Sequence, residues 1–185
     1  MNSRALLLVD LQNDFCAGGA LAVAEGDSTV DIANAMIAWC QSRGEPVVAS
    51  QDWHPANHGS FASVQHAEPF TQGTLDGLPQ TWWPDHCIQE SDGAALHPLL
   101  NQSAIEQRFY KGENPAIDSY SAFFDNGHRQ KTALDALSLG YTVNVITDGC
   151  RGVNLTPQAS MLAFQEMAAS GATLYTLDDW RETQP

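Results

Sequence analysis

Basic residues are scarce in this sequence: 8 Lys and Arg stand against 22 Asp and Glu, a net charge of −14 over 185 residues. So acidic a surface repels phosphate backbones and anionic lipid, which argues against a nucleic-acid or membrane-surface partner. Long apolar runs are missing too. Runs such as Ala5 to Val9 are far too short to span a bilayer. The first residues show no basic stretch, apolar core and cleavage site in succession, so no secretory leader is expected and a cytoplasmic location is. Cys16, Cys40, Cys87 and Cys150 form no CxxC pair and read as reduced thiols. There is no GxGxxG, no P-loop and no GxSxG elbow. Repeats, low-complexity tracts and linkers are absent, so one domain over 1–185 is expected, long enough to bury a sizeable core.

Short apolar strands punctuate the chain. Ala5 to Val9 is continuous rather than alternating, the pattern of a strand buried on both faces of a parallel sheet, and it ends at Asp10. Val47–Ser50 before Asp52, Val143–Ile146 before Thr147, Thr173–Leu177, and the short Arg108–Tyr110 read as further strands. Between them, Val30, Ala33, Ile37 and Cys40 fall at helical spacing, with Asp27 or Ser28 as the cap and Gly44 as the stop. Gln130–Leu139, stopped by Gly140, is a second helix. Thr156-Pro157 opens a third, with Met161, Phe164 and Ala168 on its inner face. The alternation predicts an α/β fold of three layers around a parallel sheet. From Trp53 to about Ala104 the periodicity fades into Pro, Gly, His and Trp; a stretch that long in a compact domain is usually functional.

The chemistry-bearing residues cluster at the strand ends. Asp52 and His54 leave a strand that Pro55 breaks, and His86 offers a distant imidazole. Carboxylate and imidazole donors in that pattern suit an open site for Zn²⁺, Mn²⁺ or Fe²⁺, the competing reading being a loop aspartate and two surface histidines. Asp10 reads either as a desolvated general base or as a turn aspartate. Lys111 reads either as the partner of a buried anion or thiolate or as a solvated edge lysine. Cys87 reads first as a packing thiol.

The strings LLLVDLQNDFCAGGALAV, SQDWHPANHGSFAS, WPDHCIQ and YKGENPAIDSYSAFFDN, with LDALSLGYTVNVITDGCRGVN and GATLYTLDDW, carry a resemblance. They resemble the nicotinamidase/pyrazinamidase family of isochorismatase-like cysteine hydrolases, the enterobacterial members above all. The resemblance implies hydrolysis of nicotinamide, and of pyrazinamide, to the acid and ammonia in NAD salvage. It implies Asp10 as base, Lys111 as its triad lysine, and one divalent metal, zinc first, on Asp52, His54 and His86. His58 is an additional ligand in some members. Phe15 and Trp83 are implied as walls against the pyridine ring, and a homo-oligomer is compatible with it. One departure stands out. Thr132 runs at once into Ala133–Leu137, which matches the end of a later family helix, so roughly 25–30 residues, about one helix and one strand, are missing. That segment carries the family's nucleophilic cysteine and its oxyanion donors. Either an unpaired central strand edge or a rearranged, five-stranded sheet follows. A strand shift would be needed to bring Cys150 to the Asp10 edge. A chain that binds metal and nicotinamide without turning it over, or an incomplete gene product, is the alternative to an active amidohydrolase.

Overall fold

The computed structural model describes residues 4–125 and 131–184. Three parallel strands, β1 (Leu6–Val9), β2 (Val47–Asp52) and β5 (Gln107–Lys111), form a sheet in the order β1-β2-β5. β3 (Gln72–Leu75) and β4 (Leu78–Thr81) make an antiparallel hairpin, and β6 (Asn144–Ile146) pairs in parallel with β7 (Thr173–Tyr175). The helices are α1 (Ser28–Gln41), α2 (Thr132–Ser138), α3 (Ala159–Ala169) and α4 (Leu177–Thr183).

The core forms where α1 lies on the sheet. Val30, Ala33, Ile37 and Cys40, the predicted apolar stripe, pack on Leu8, Val47 and Ala49 together with Leu96 and Leu100. Gly44, at φ 64°, closes α1: its N–H donates to the Gln41 carbonyl and the Glu45 N–H to that of Cys40, a pairing that requires the left-handed conformation. At the other end the expected side-chain cap does not form. Asp27 precedes α1 with no side-chain bond to the helix, because its carboxylate turns to the Ala17 N–H instead.

Other expectations need correcting. The last strand stops at Tyr175 rather than Leu177: Thr176 caps α4 through a reciprocal bond with Asp179, and Leu177 and Trp180 pack on Met36 of α1. α3 starts at Ala159, later than Thr156-Pro157, and its predicted inner face is not a core; no residue of α3 is buried and Met161 is 49% exposed. Within 53–104 the chain does form a hairpin. Its turn, Asp76-Gly77, has positive φ at both positions, the two-residue geometry that matches strand twist.

The sheet itself is divided. Among the described residues no ladder joins β1 to β6, so the strands form a group of three and a group of two rather than one five-stranded sheet. The bonds Leu6 N–H to Pro46 O and Asp10 N–H to Ser50 O fix which peptides of β1 face β2; those of Leu7 and Val9 point the opposite way. α1 bridges the two groups, with Ile32, Ala35 and Trp39 packed toward Ile146 and Tyr175. α3 contacts β7 of the narrower, two-stranded group, which offers a helix less surface to bury against.

Candidate active site

Sheet register assembles the charged centre. Asp52 and Lys111 are partners across the β2–β5 ladder, and Val9 is the partner of Ser50, so Asp10 emerges at the same C-terminal edge. Parallel neighbours sit close enough for their side chains to meet. Lys111 Nζ lies 2.9 Å from Asp10 Oδ2 and 2.5 Å from Asp52 Oδ1. Its side chain is only 8% exposed, which excludes a solvated edge lysine. Asp10 adopts φ 55° as the strand ends, and Ser50 Oγ approaches its Oδ1 at 3.4 Å.

Burial works against every charge in this group, and the pairing decides the outcome. Burial pushes Asp10 up to about 6, with Lys111 opposing and Asp52 adding to the rise. For Asp52 burial also pushes upward, but Lys111, His54 and His86 outweigh it and hold the carboxyl below its usual range. Lys111 is raised, because the two carboxylates outweigh its desolvation. One cation thus holds one firm carboxylate and one that exchanges its proton near neutrality.

Beside this cluster, ligand atoms of Asp52, His54 and His86 all lie within 4.8 Å of one another. Both imidazoles are buried, at 1% and 5%, which sets aside the reading of surface histidines. His54 Nδ1 donates to the Gly112 carbonyl at 2.9 Å and His86 Nδ1 to that of Pro84 at 2.8 Å. Each bond fixes the tautomer, leaving Nε2 as a lone pair turned to Asp52, at 3.6 Å for His54 and 4.0 Å for His86. Burial pushes His54 down to about 4, so the ring is neutral as a metal ligand must be. His58 lies against His54 with ring centroids 4.4 Å apart and planes tilted by 45°, its Nδ1 bonded to Ser60 Oγ, and is outside the converging set.

A cavity of about 220 Å³ opens over this centre, sized for a single-ring ligand. Asp10, Lys111, Asp52, His54, His86, Phe15 and Trp83, the seven residues singled out from the sequence, all line it. Sequence reasoning missed several others. Tyr120 lines the cavity, and its hydroxyl accepts from Trp83 Nε1 and Gln80 Nε2, each at 3.1 Å, fixing the tryptophan wall. Asp118 Oδ2 accepts from Gln80 Nε2 at 2.6 Å. Gln12 is fully buried: its amide donates to the carbonyls of Asp52 and Ala94 and accepts the Asp52 N–H, holding the ligand strand against β1's exit. The strings around these residues stood out in the sequence, but a polar side chain that satisfies backbone carries no spacing signature.

None of the four cysteines lines the cavity. Cys87 is wholly buried, its thiol raised by burial and by surrounding carboxylates, as befits a packing thiol. Cys150 is exposed, and its Sγ donates to the Ile146 carbonyl at 3.3 Å. From the segment that follows it, Val153 reaches the cavity wall.

The isochorismatase domain model matches residues 4–128. The chain belongs to the isochorismatase family. Its relatives within that family include the nicotinamidase of Escherichia coli K12, 66% identical over 212 aligned positions that cover all of both proteins. This isochorismatase-family chain has 185 residues, 27 fewer than those positions. A solved nicotinamidase/pyrazinamidase of Acinetobacter baumannii is 35% identical, with a TM-score of 0.86 and 95% and 96% of the two chains covered. The pyrazinamidase of Pyrococcus horikoshii, solved in complex with zinc, is 30% identical with a TM-score of 0.75, covering 95% and 99%.

Proposed function

We propose that this chain is a metal-dependent amidohydrolase of the nicotinamidase type, converting nicotinamide, and its pyrazine analogue, to the acid and ammonia for NAD salvage in the cytoplasm. The 66% identity to a nicotinamidase over full length supports the substrate class. The observation that carries the reading is the meeting of the Asp10–Lys111–Asp52 ion group with the Asp52/His54/His86 donor set in one small cavity.

The donor set fits a divalent metal. Two Nε2 lone pairs face a carboxylate whose Oδ1 is taken by Lys111, and both imidazoles are braced by backbone carbonyls. Nitrogen and oxygen donors suit zinc first, then manganese or iron. When bound, the metal would supply a Lewis-acid anchor for the ring nitrogen or its water, orienting the carboxamide. The protein's own groups do the rest. Phe15 and Trp83 flank the ring, Tyr120 braces Trp83, and Asp10, poised near 6, accepts a proton from the attacking water and returns it to the departing ammonia, with Lys111 paired to its carboxylate.

A second reading has its own support: no thiol lines the cavity, and acyl transfer in the family resemblance needs one. The 27-position shortfall and the divided sheet fit the loss of the strand that would carry it. On this reading the chain binds metal and nicotinamide without turnover. Zinc-loaded protein, assayed for ammonia release from nicotinamide and for nicotinamide binding by calorimetry, separates the two. Ammonia release that stops on chelation is expected for the hydrolase. Binding without ammonia transfers the function to the second reading, and neither signal removes both.

A further inference from the structure

A second cluster of ligating side chains lies outside that donor set. Cys16 follows the short 3-10 turn Asn13–Phe15, Asp27 precedes α1, and His97 belongs to the connection leading to β5. One ligand atom from each comes within 4.8 Å of the other two. Their backbones are held independently. The Cys16 N–H donates to the Asn13 carbonyl at 3.0 Å, the His97 N–H to that of Leu11 at 2.9 Å, and the His97 carbonyl accepts from Leu100 N–H at 3.0 Å. Asp27 Oδ2 accepts from Ala17 N–H at 3.0 Å, while Oδ1 faces His97 Nε2 across 3.6 Å.

That gap is too long for a hydrogen bond. It is close to the edge of a tetrahedron of nitrogen and oxygen ligands about zinc, roughly 3.4 Å for bonds near 2.1 Å. The same 3.6 Å separates His54 Nε2 from Asp52 Oδ1 in the candidate active site. We propose that Cys16, Asp27 and His97 form a second site for a borderline divalent cation, zinc first, tying the segment that carries Phe15 to the start of α1.

The donors suit the ion. Thiolate, imidazole and carboxylate together select zinc-like cations over magnesium or calcium. The half-exposed carboxylate of Asp27 provides the way in, and the buried Cys16 forms the floor. Burial, reinforced by Asp27, pushes the Cys16 thiol up, and a cation relieves that field as it displaces the thiol proton to solvent. His97 Nδ1 accepts from Leu99 N–H at 3.3 Å; binding at Nε2 moves the ring proton to Nδ1 and gives up this long contact, which sets the cost of the site.

Cobalt is the probe that distinguishes the two clusters, because Asp52, His54 and His86 offer it no sulfur. Titration of the metal-free full chain with Co²⁺ is expected to raise a near-ultraviolet sulfur-to-cobalt charge-transfer band. The band should persist in Cys87→Ala and Cys150→Ser, vanish in Cys16→Ser, and require about tenfold more cobalt or beyond in His97→Gln. A full-chain titration without the band overturns the proposal, as does a band that survives Cys16→Ser or is lost with Cys87 or Cys150. Nicotinamide plays no part in this readout, so its result is independent of the proposed function.

Discussion

Gly112→Ala tests whether the backbone behind His54 sets metal affinity. Gly112 sits at φ 68°, where an added Cβ would fall 2.3 Å from His54 Cε1 and 2.5 Å from Nδ1. Neither ring atom is the end of a flexible chain, so the imidazole must move, and with it the bond from Nδ1 to the Gly112 carbonyl. Two costs add. A left-handed alanine loses about 1 kcal/mol of stability, equivalent to about 2–4 °C in Tm at this chain length. Disturbing an outer-shell bond of this kind weakens metal binding by about 10- to 100-fold. Gly44→Ala separates them: Gly44 has φ 64° with nothing within 4 Å of its Cβ, so it carries the conformational cost alone. Zinc affinity is measured by competition with a chromophoric chelator, and Tm by circular dichroism on metal-free protein. The expected pattern is a loss of Tm in both variants, larger in Gly112→Ala because its Cβ also displaces the imidazole, with weakened zinc only in Gly112→Ala. A folded Gly112→Ala that binds zinc as tightly as the parent refutes the reasoning.

Two further outcomes follow from the same geometry. Asp10, raised by burial to about 6, keeps its proton in the folded chain over a range where the unfolded chain has released it. Its contribution to stability is therefore lost as pH rises from the ordinary carboxylate range through about 6, and Asp10→Asn should flatten that part of a urea-denaturation series; an unchanged slope between pH 4 and about 6 contradicts the assignment. In β1, the amides of Leu7 and Val9 face away from β2 while those of Leu6 and Asp10 are bonded, so hydrogen exchange should alternate along the strand. Protection of Leu7 and Val9 equal to that of Leu6 and Asp10 would mean that the outer edge is covered in solution.

Much of the candidate site was legible because strand ends are legible. An apolar run that stops at a carboxylate marks the C-terminal edge of a buried parallel strand; Asp10 and Asp52 sit at such stops, and Lys111 ends the short strand beside them. The bracing was not. Gln12, Tyr120 and the Gly112 carbonyl act on residues 40, 37 and 58 positions away, and no local period encodes that. The asparagine-free hairpin turn Asp76-Gly77 carried a usable signal that the surrounding loop-like composition obscured.

By itself the sequence determined where the parallel strands run, which stripe of α1 is buried, and which carboxylates and imidazoles stand at strand ends, because those follow from local periodicity and chain stops. Only the tertiary structure decided that Lys111 is buried between two carboxylates, that among the described residues no ladder joins β1 to β6, and that no residue of α3 is buried. Those outcomes depend on which strand lies next to which, and neighbours across a sheet are chosen by packing between residues that the chain order keeps far apart.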